Sequence, residues 1–263
     1  MTSRVVGRRL ARLLARAKPM VPPALLPMVN VLRSVPGSGP LVGLPAFRRV
    51  LLLAAHPDDE SIGCAGTVAL LAEAGATVTA VFATDGEATI GSALGPAETG
   101  VRRAAEARAA CAALGVQDVR FLSHPDGALP AQVEVLGLEL STLVGELRPE
   151  VVLLPWFLDG HPDHQALSTA LATATLPAEL ELWGYETWTP LPANRLVDIT
   201  AAVPRKQAAL TAHVTAHLAF DVSAGLALSR WRSIHGLAGV GYAEAFLAAP
   251  AAGYLAMARE ARA

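Results

Sequence analysis

At 263 residues and 52% hydrophobic composition, the chain has enough apolar material for one large α/β core. Its two cysteines, Cys64 and Cys111, stand far apart and outside any CxxC pattern, which argues against a disulfide framework and for a reducing, cytoplasmic setting. The net charge of −2 conceals an asymmetry: nine of the 21 basic residues precede Asp58, the first acidic residue, so the remainder sets 12 basic residues against 23 acidic ones and makes a poor nucleic-acid binder.

Residues 1–48 read as a basic leader ahead of a body at 49–263. Within 2–18, Val6, Leu10, Leu13 and Leu14 share one helical face with arginines around them. Pro19, Pro22, Pro23 and Pro27 then break the chain. Three readings stay open for the leader: a helix packed on the body, a basic amphipathic helix in peripheral contact with an anionic membrane, or a flexible arm. No apolar stretch reaches the roughly 18 residues of a spanning helix. The N-terminus also lacks the uninterrupted apolar segment and small-residue cleavage site of a secretory signal.

From Arg49 onward, strand and helix patterns alternate. Strands are predicted at 49–55, 77–83, 118–122, 150–154, 181–186 and 195–199. Helices are predicted at 63–75, 100–114, 131–147, 163–175, 202–217 and 241–248. Such alternation builds βαβ units, hence an α/β fold with a mostly parallel sheet and helices on both faces. Ligands of such sheets bind beyond the carboxyl ends of the strands.

Two runs sit at such ends. His56-Pro57-Asp58-Asp59-Glu60 follows the first strand, and His161-Pro162-Asp163-His164 follows the fourth. Each proline stands where a first helical turn would begin. Side chains three apart on such a turn face the same way, so His56, Asp59 and His164 can share one metal. That leaves Asp58, His161 and Asp163 as acids and bases. Three protein ligands, an open position and a neighbouring base make the inventory of a hydrolytic zinc site, with ferrous iron as the alternative metal. Asp58 lies between two ligands and is expected to be the general base. His161 is the spare histidine, suited to an oxyanion, and Asp163 is the carboxylate expected to orient it.

The remaining features carry less. His124-Pro125-Asp126-Gly127 has no ligand at its fourth place; Asp126 is either a hydroxyl acceptor or part of a plain Asp-Gly turn. Glu186 and Trp188 lie past a strand end, where a sugar could stack, although core packing explains most of the aromatics there. His213 and His217 have metal spacing, but Val214 stands where a zincin needs glutamate. Gly63-Cys64-Ala65-Gly66 is a weak match to a dinucleotide loop.

Taken together, the residues at 49–248 resemble the LmbE/PIG-L family of metal-dependent de-N-acetylases. The resemblance rests on the paired HPDD and HPDH runs, Thr84-Asp85-Gly86-Glu87, Arg103-x-x-Glu106, Asp126-Gly127, Tyr185-Glu186-x-Trp188 and Tyr242-Ala243-Glu244. It implies a Rossmann-like fold and zinc held by His56, Asp59 and His164. It also implies Asp58 as base and then acid, His161 as electrostatic catalyst, and Arg103 and Asp126 on the substrate. The substrate class it implies is a small N-acetylglucosamine-type amino sugar; a related amide and a non-catalytic sugar binder are the alternatives. Two departures stand out. Asp159 replaces a tyrosine found in some sugar-thiol members, which suggests a polar, aminocyclitol-like aglycone, and His213-Val214-Thr215-Ala216 replaces a His-x-Ser-Gln pattern.

Overall fold

The computed structural model describes residues 41–262. The helix expected over 2–18 and the proline breaks after it lie outside the described residues. In chain order the strands are Leu41–Val42 (β1), Arg49–Ala54 (β2), Thr77–Thr84 (β3), Asp118–His124 (β4), Val151–Pro155 (β5), Glu181–Tyr185 (β6), Arg195–Asp198 (β7) and Ala243–Pro250 (β8). The helices are Asp59–Gly63 (α1), Ala65–Glu73 (α2), Pro96–Leu114 (α3), Val133–Leu147 (α4), Pro162–Thr173 (α5), Val203–Ala212 (α6), Ala224–Leu237 (α7) and Ala251–Arg262 (α8).

The strands form one sheet in the order β1-β7-β8-β6-β5-β2-β3-β4. β6, β5, β2, β3 and β4 are parallel neighbours, while β8 runs antiparallel to both β6 and β7. β2 and β5 are covered on both faces, so their sequences are continuous apolar runs without alternation. Alternate residues serve opposite cores. Leu51 and Leu53 pack in the cluster of Leu136, Leu167 and Tyr254, from α4, α5 and α8. Leu52 and Ala54 pack in that of Val68, Leu114 and Ala209, from α2, α3 and α6.

This topology places the site. The chain steps from β2 outward through β3 to β4, then returns to lay β5 on the other side of β2. The strand order therefore reverses between β2 and β5, and a crevice opens where their carboxyl ends diverge. Both HPD runs emerge into it. Among the described residues, no helix is long and apolar enough to cross a membrane.

The C-terminal third departs from expectation. Residues 241–248 were expected to be helical, but Ala243–Pro250 is a strand. Alanine favours helix, yet here the ladder to two strands outweighs that weak local preference. Glu244 adds a reason. Its carboxylate accepts from Gly66 N and Thr67 N at 2.9 and 2.7 Å, capping α2, and from the buried Lys206 ammonium at 2.8 Å. α7 and α8 were not anticipated, and the helix expected at 202–217 stops at Ala212.

Candidate active site

The first HPD turn is built against its own backbone preference. Asp58 has φ 135° and ψ −26°, a region that costs a residue with a Cβ on the order of 1–3 kcal/mol. Polar contacts hold it there. Asp58 N donates to Glu60 Oε2 at 3.0 Å, and Asp58 Oδ2 accepts from Arg103 at 2.9 Å. The same guanidinium nitrogen donates to Pro57 O. Arg103 can approach because Gly86, at φ 68°, carries no Cβ to collide with it. Glu60 is anchored in turn from α6: its Oε1 lies 2.8 Å from His213 Nε2 and accepts from Ser61 Oγ at 2.6 Å. Pro57 therefore lies outside α1, which begins at Asp59, and not at the first helical position expected for it.

The second turn is regular. His161 is the N-cap of α5, with extended backbone, and its Nδ1 accepts from Asp163 N at 3.2 Å. Pro162 occupies the first helical position, as the sequence suggested.

The two turns bring His56, Asp59 and His164 together. His164 Nε2 lies 3.1 Å from Asp59 Oδ1 and 3.4 Å from His56 Nδ1, and His56 Nδ1 lies 3.6 Å from Asp59 Oδ2. Asp59 is itself pinned, accepting from Ala55 N at 3.0 Å and His56 N at 2.9 Å. Each ring's other nitrogen has a carboxylate behind it. His164 Nδ1 is 2.9 Å from Asp159 Oδ1, and His56 Nε2 is 3.1 Å from both Asp163 Oδ2 and Asp126 Oδ1. Those carboxylates fix the tautomers by hydrogen-bond logic, leaving the bare lone pairs of His56 Nδ1 and His164 Nε2 facing each other beside Asp59. Two lone pairs and a carboxylate at such distances call for a cation. The residues thus fit a metal of the zinc or ferrous type, which takes imidazole and carboxylate ligands.

Two other groups of ligand-capable atoms lie within 4.8 Å of one another: His56, His161 and His164; and His56, Asp126 and Asp163. The second is explained by hydrogen bonds, since both carboxylates address the same donor nitrogen of His56. In the first, His161 Nδ1 is occupied by a backbone N–H, so only its Nε2 remains.

The electrostatics express the same demand for positive charge. Burial alone would lower the pKa of His164, but Asp59 and Asp159 outweigh it and push it to about 9. Burial would likewise lower His56, and Asp126, Asp163 and Asp59 together raise it well above its ordinary value. Asp59 is buried too, which opposes ionisation, yet the two histidines hold its pKa well below normal. Asp58 differs: burial pushes it up to about 6, against the pull of Arg103. His161 is lowered by burial and by repulsion from His56 and His164.

These contacts correct several expectations. The Asp163 carboxylate does not orient His161; it accepts from Gly127 N and Leu129 N at 2.8 and 3.1 Å and supports His56, while only its backbone N–H reaches His161. Asp159 does not face an aglycone. It is fully buried behind His164, and its Oδ2 accepts from Trp188 N and Thr189 N at 2.9 and 3.2 Å. Glu186 is buried in an ion pair with Arg232 and accepts from Leu191 N at 2.7 Å, so it has no free face for a sugar. The Arg103 guanidinium is spent largely on Asp58, Pro57 O, Gly86 O and Thr89. His213 and His217 do not form a pair: the first binds Glu60, and the second lies 3.6 Å from Asp221.

What remains is a cleft of about 440 Å³. His56, Asp58, Asp59, Arg103, Asp126 and His161 form its floor. Trp188, half exposed, and Phe220 flank it with their rings 4.7 Å apart. A larger recess of about 640 Å³ near Arg49, Glu150 and Glu181 is lined by no histidine among the described residues. Glu60, His213 and Asp159 were each visible in the sequence, but their supporting roles were not. Glu60 ends the first run and Asp159 stands just before the second, but His213, which holds Glu60, and Trp188 and Thr189, which Asp159 also binds, are distant in the chain.

The family model "PIG-L: GlcNAc-PI de-N-acetylase" matches residues 51–175. A 1D-myo-inositol 2-acetamido-2-deoxy-α-D-glucopyranoside deacetylase from Kineococcus radiotolerans is 29% identical, over 74% of this chain and 80% of its own. Other curated relatives of that kind are matched over less than two thirds of their length. The conserved protein TT1542 from Thermus thermophilus superposes with TM-score 0.65 at 30% identity, covering 76% of this chain and 94% of that one. The N,N'-diacetylchitobiose deacetylase from Pyrococcus horikoshii superposes with TM-score 0.68 at 25% identity, covering 79% and 86%. Fold, motifs and relatives coincide, and residues 51–175 form a PIG-L (LmbE) family domain.

Proposed function

We propose that this chain is a metal-dependent hydrolase that removes the acetyl group from the nitrogen of an N-acetylglucosamine-type sugar. One observation carries the reading: His56 Nδ1, His164 Nε2 and Asp59 converge, each imidazole is backed by a carboxylate, and Asp58 stands alongside. We take those three residues as the metal-binding set. Zinc or ferrous iron held there would supply Lewis acidity to the amide carbonyl and to a water.

The chain's own residues do the rest. Asp58 accepts the proton of the attacking water and returns it to the leaving nitrogen as the C–N bond breaks, so the products are acetate and a free amine. Its raised pKa of about 6 suits a group that must both take and give a proton near neutrality. Arg103 holds Asp58 in position. His161, with Nδ1 occupied by Asp163 N–H, carries its proton on Nε2 and donates it as a hydrogen bond to the carbonyl oxygen as charge develops there. Asp126 keeps acceptor capacity beside the cleft for a sugar hydroxyl, and Trp188 offers a ring face.

The relatives named above act on an acetamido-glucopyranosyl inositol and on diacetylchitobiose, which supports the amino-sugar class. The aminocyclitol preference loses its support, because Asp159 points inward. The test is acetate and amine release from N-acetylglucosamine, its inositol glycoside and diacetylchitobiose by zinc- or iron-loaded protein. Chelation should abolish release; a folded, metal-loaded protein that cleaves none of the three would sink the assignment.

A further inference from the structure

Beside the cleft lies a second recess of about 240 Å³. It shares Trp188 and Phe220 with the cleft; Ile62, Pro190, Val222 and Leu228 complete its apolar walls. Pockets that hold whole drug-sized ligands span roughly 300–1,000 Å³, so this one is the size of a substituent. We propose that the recess is a subsite of the cleft that takes an apolar substituent of the substrate, an aryl ring or a short alkyl chain. The inference rests on the hydrolytic reading above and extends it to the substrate's flank.

Two observations converge. The recess is walled by the same segments that carry the chemistry. Ile62 lies on α1, three residues after Asp59, and Gly225 packs so closely on Ile62 that a Cβ there would press on its backbone at 3.0 Å. Trp188 is tied to the metal-binding region, because Asp159 accepts from Trp188 N with one oxygen and holds His164 Nδ1 with the other. The partition between cleft and recess is thus positioned by the group that positions a ligand.

An apolar substituent can hang from either side of the amide. The comparison is therefore made in two arms: hexyl against methyl glycosides of N-acetylglucosamine, and N-hexanoyl- against N-acetylglucosamine. With metal-loaded wild-type protein, at least one arm should show a gain of about tenfold or more in kcat/KM for the hexyl compound. Gain in the first arm only assigns the recess to the aglycone, and gain in the second only to the acyl group. Leu228→Trp should erase the gain while leaving turnover of the short substrate within about twofold, which doubles as the folding control. Ala224→Leu, at an exposed position on the rim, should reduce it more mildly. No gain in either arm, or a gain that survives both substitutions, overturns the subsite. If nothing is turned over at all, the hydrolytic reading fails. The recess is then judged by calorimetric binding of the hexyl and methyl glycosides, where tighter hexyl binding lost in Leu228→Trp still supports it and equal binding ends it.

Discussion

The two HPD turns are spelled alike and built differently. The second folds by local rules: His161 caps α5, Pro162 begins it, and His164 arrives one turn later on the inner face. The first does not. Asp58 sits at a positive φ that its own sequence disfavours, and α1 lasts only from Asp59 to Gly63. It is held by Arg103 from α3 and, through Glu60, by His213 at the end of α6. The difference follows the work proposed for each turn. A ligand-and-donor turn needs only correct spacing, which a capped helix provides. A turn that must set a base between two groups of the metal site needs a geometry no regular element offers, and the rest of the fold supplies the restraint.

Substitutions that separate ligand from donor within the regular turn should have the largest effect. His164→Ala should strip the metal and abolish turnover. His161→Ala, three residues away, should keep the metal and lose on the order of 10²–10³-fold in kcat, the cost of one oxyanion donor. Elemental analysis beside steady-state kinetics decides it: metal loss in His161→Ala, or metal retention with full activity in His164→Ala, would exchange their roles.

The irregular turn should break without losing metal. Asp58→Asn preserves shape and removes the base, so kcat should fall by roughly 10²–10⁴-fold with metal content unchanged. Asparagine keeps an acceptor oxygen for Arg103, so the variant should still fold, which its metal content also checks. A variant that keeps more than a tenth of wild-type kcat would remove Asp58 from the proton path.

Asp159 gives a smaller and more graded effect. It backs His164 without touching substrate, so Asp159→Asn should weaken metal affinity by about 10–100-fold while leaving kcat of the saturated enzyme near wild type. Competition with a chelator reads the affinity directly. An unchanged affinity would make Asp159 a brace for Trp188 and Thr189 alone.

Much of this was legible before any coordinates. The strands from β2 to β7 fall within about two residues of where apolar runs and turn residues put them, because a short apolar run bounded by turn residues announces a strand. The convergence of His56, Asp59 and His164 was legible because both motifs follow strands that end at one crevice, although the first turn is irregular and is held by Arg103 and Glu60. What was hidden depends on distant partners. Glu186 looked like a cleft residue until Arg232, well along the chain, claimed it. Asp159 looked like a substrate contact because nothing nearby shows that a histidine and two backbone N–H groups consume it. Ala243–Pro250 looked helical because alanine-rich segments do, and only its place between β6 and β7 makes it a strand.

The least disruptive probe of the irregular turn is pH, acting through its outer brace. Glu60 and His213 are both buried. Burial opposes the charge on each, but their mutual attraction lowers the pKa of Glu60 and raises that of His213. The signs are opposite. The depressed Glu60 contributes stability that is present above its unfolded pKa and is lost as pH falls through the lower folded value. The raised His213 contributes stability that is present below its unfolded pKa of 6.5 and is lost as pH rises through the higher folded one. The brace is therefore strongest from about pH 4.5 to 6.5, between the two unfolded values, and fades on either side. His213→Asn keeps a donor for Glu60 without a titrating charge. The difference in unfolding free energy between wild type and this variant should be largest inside that window and shrink toward pH 9. Taking the difference cancels the titration of the metal ligands, which both proteins share. A difference that stays flat from pH 5 to 9 would mean that the brace is a neutral hydrogen bond, and that Asp58 is held in its strained backbone without help from charge on His213.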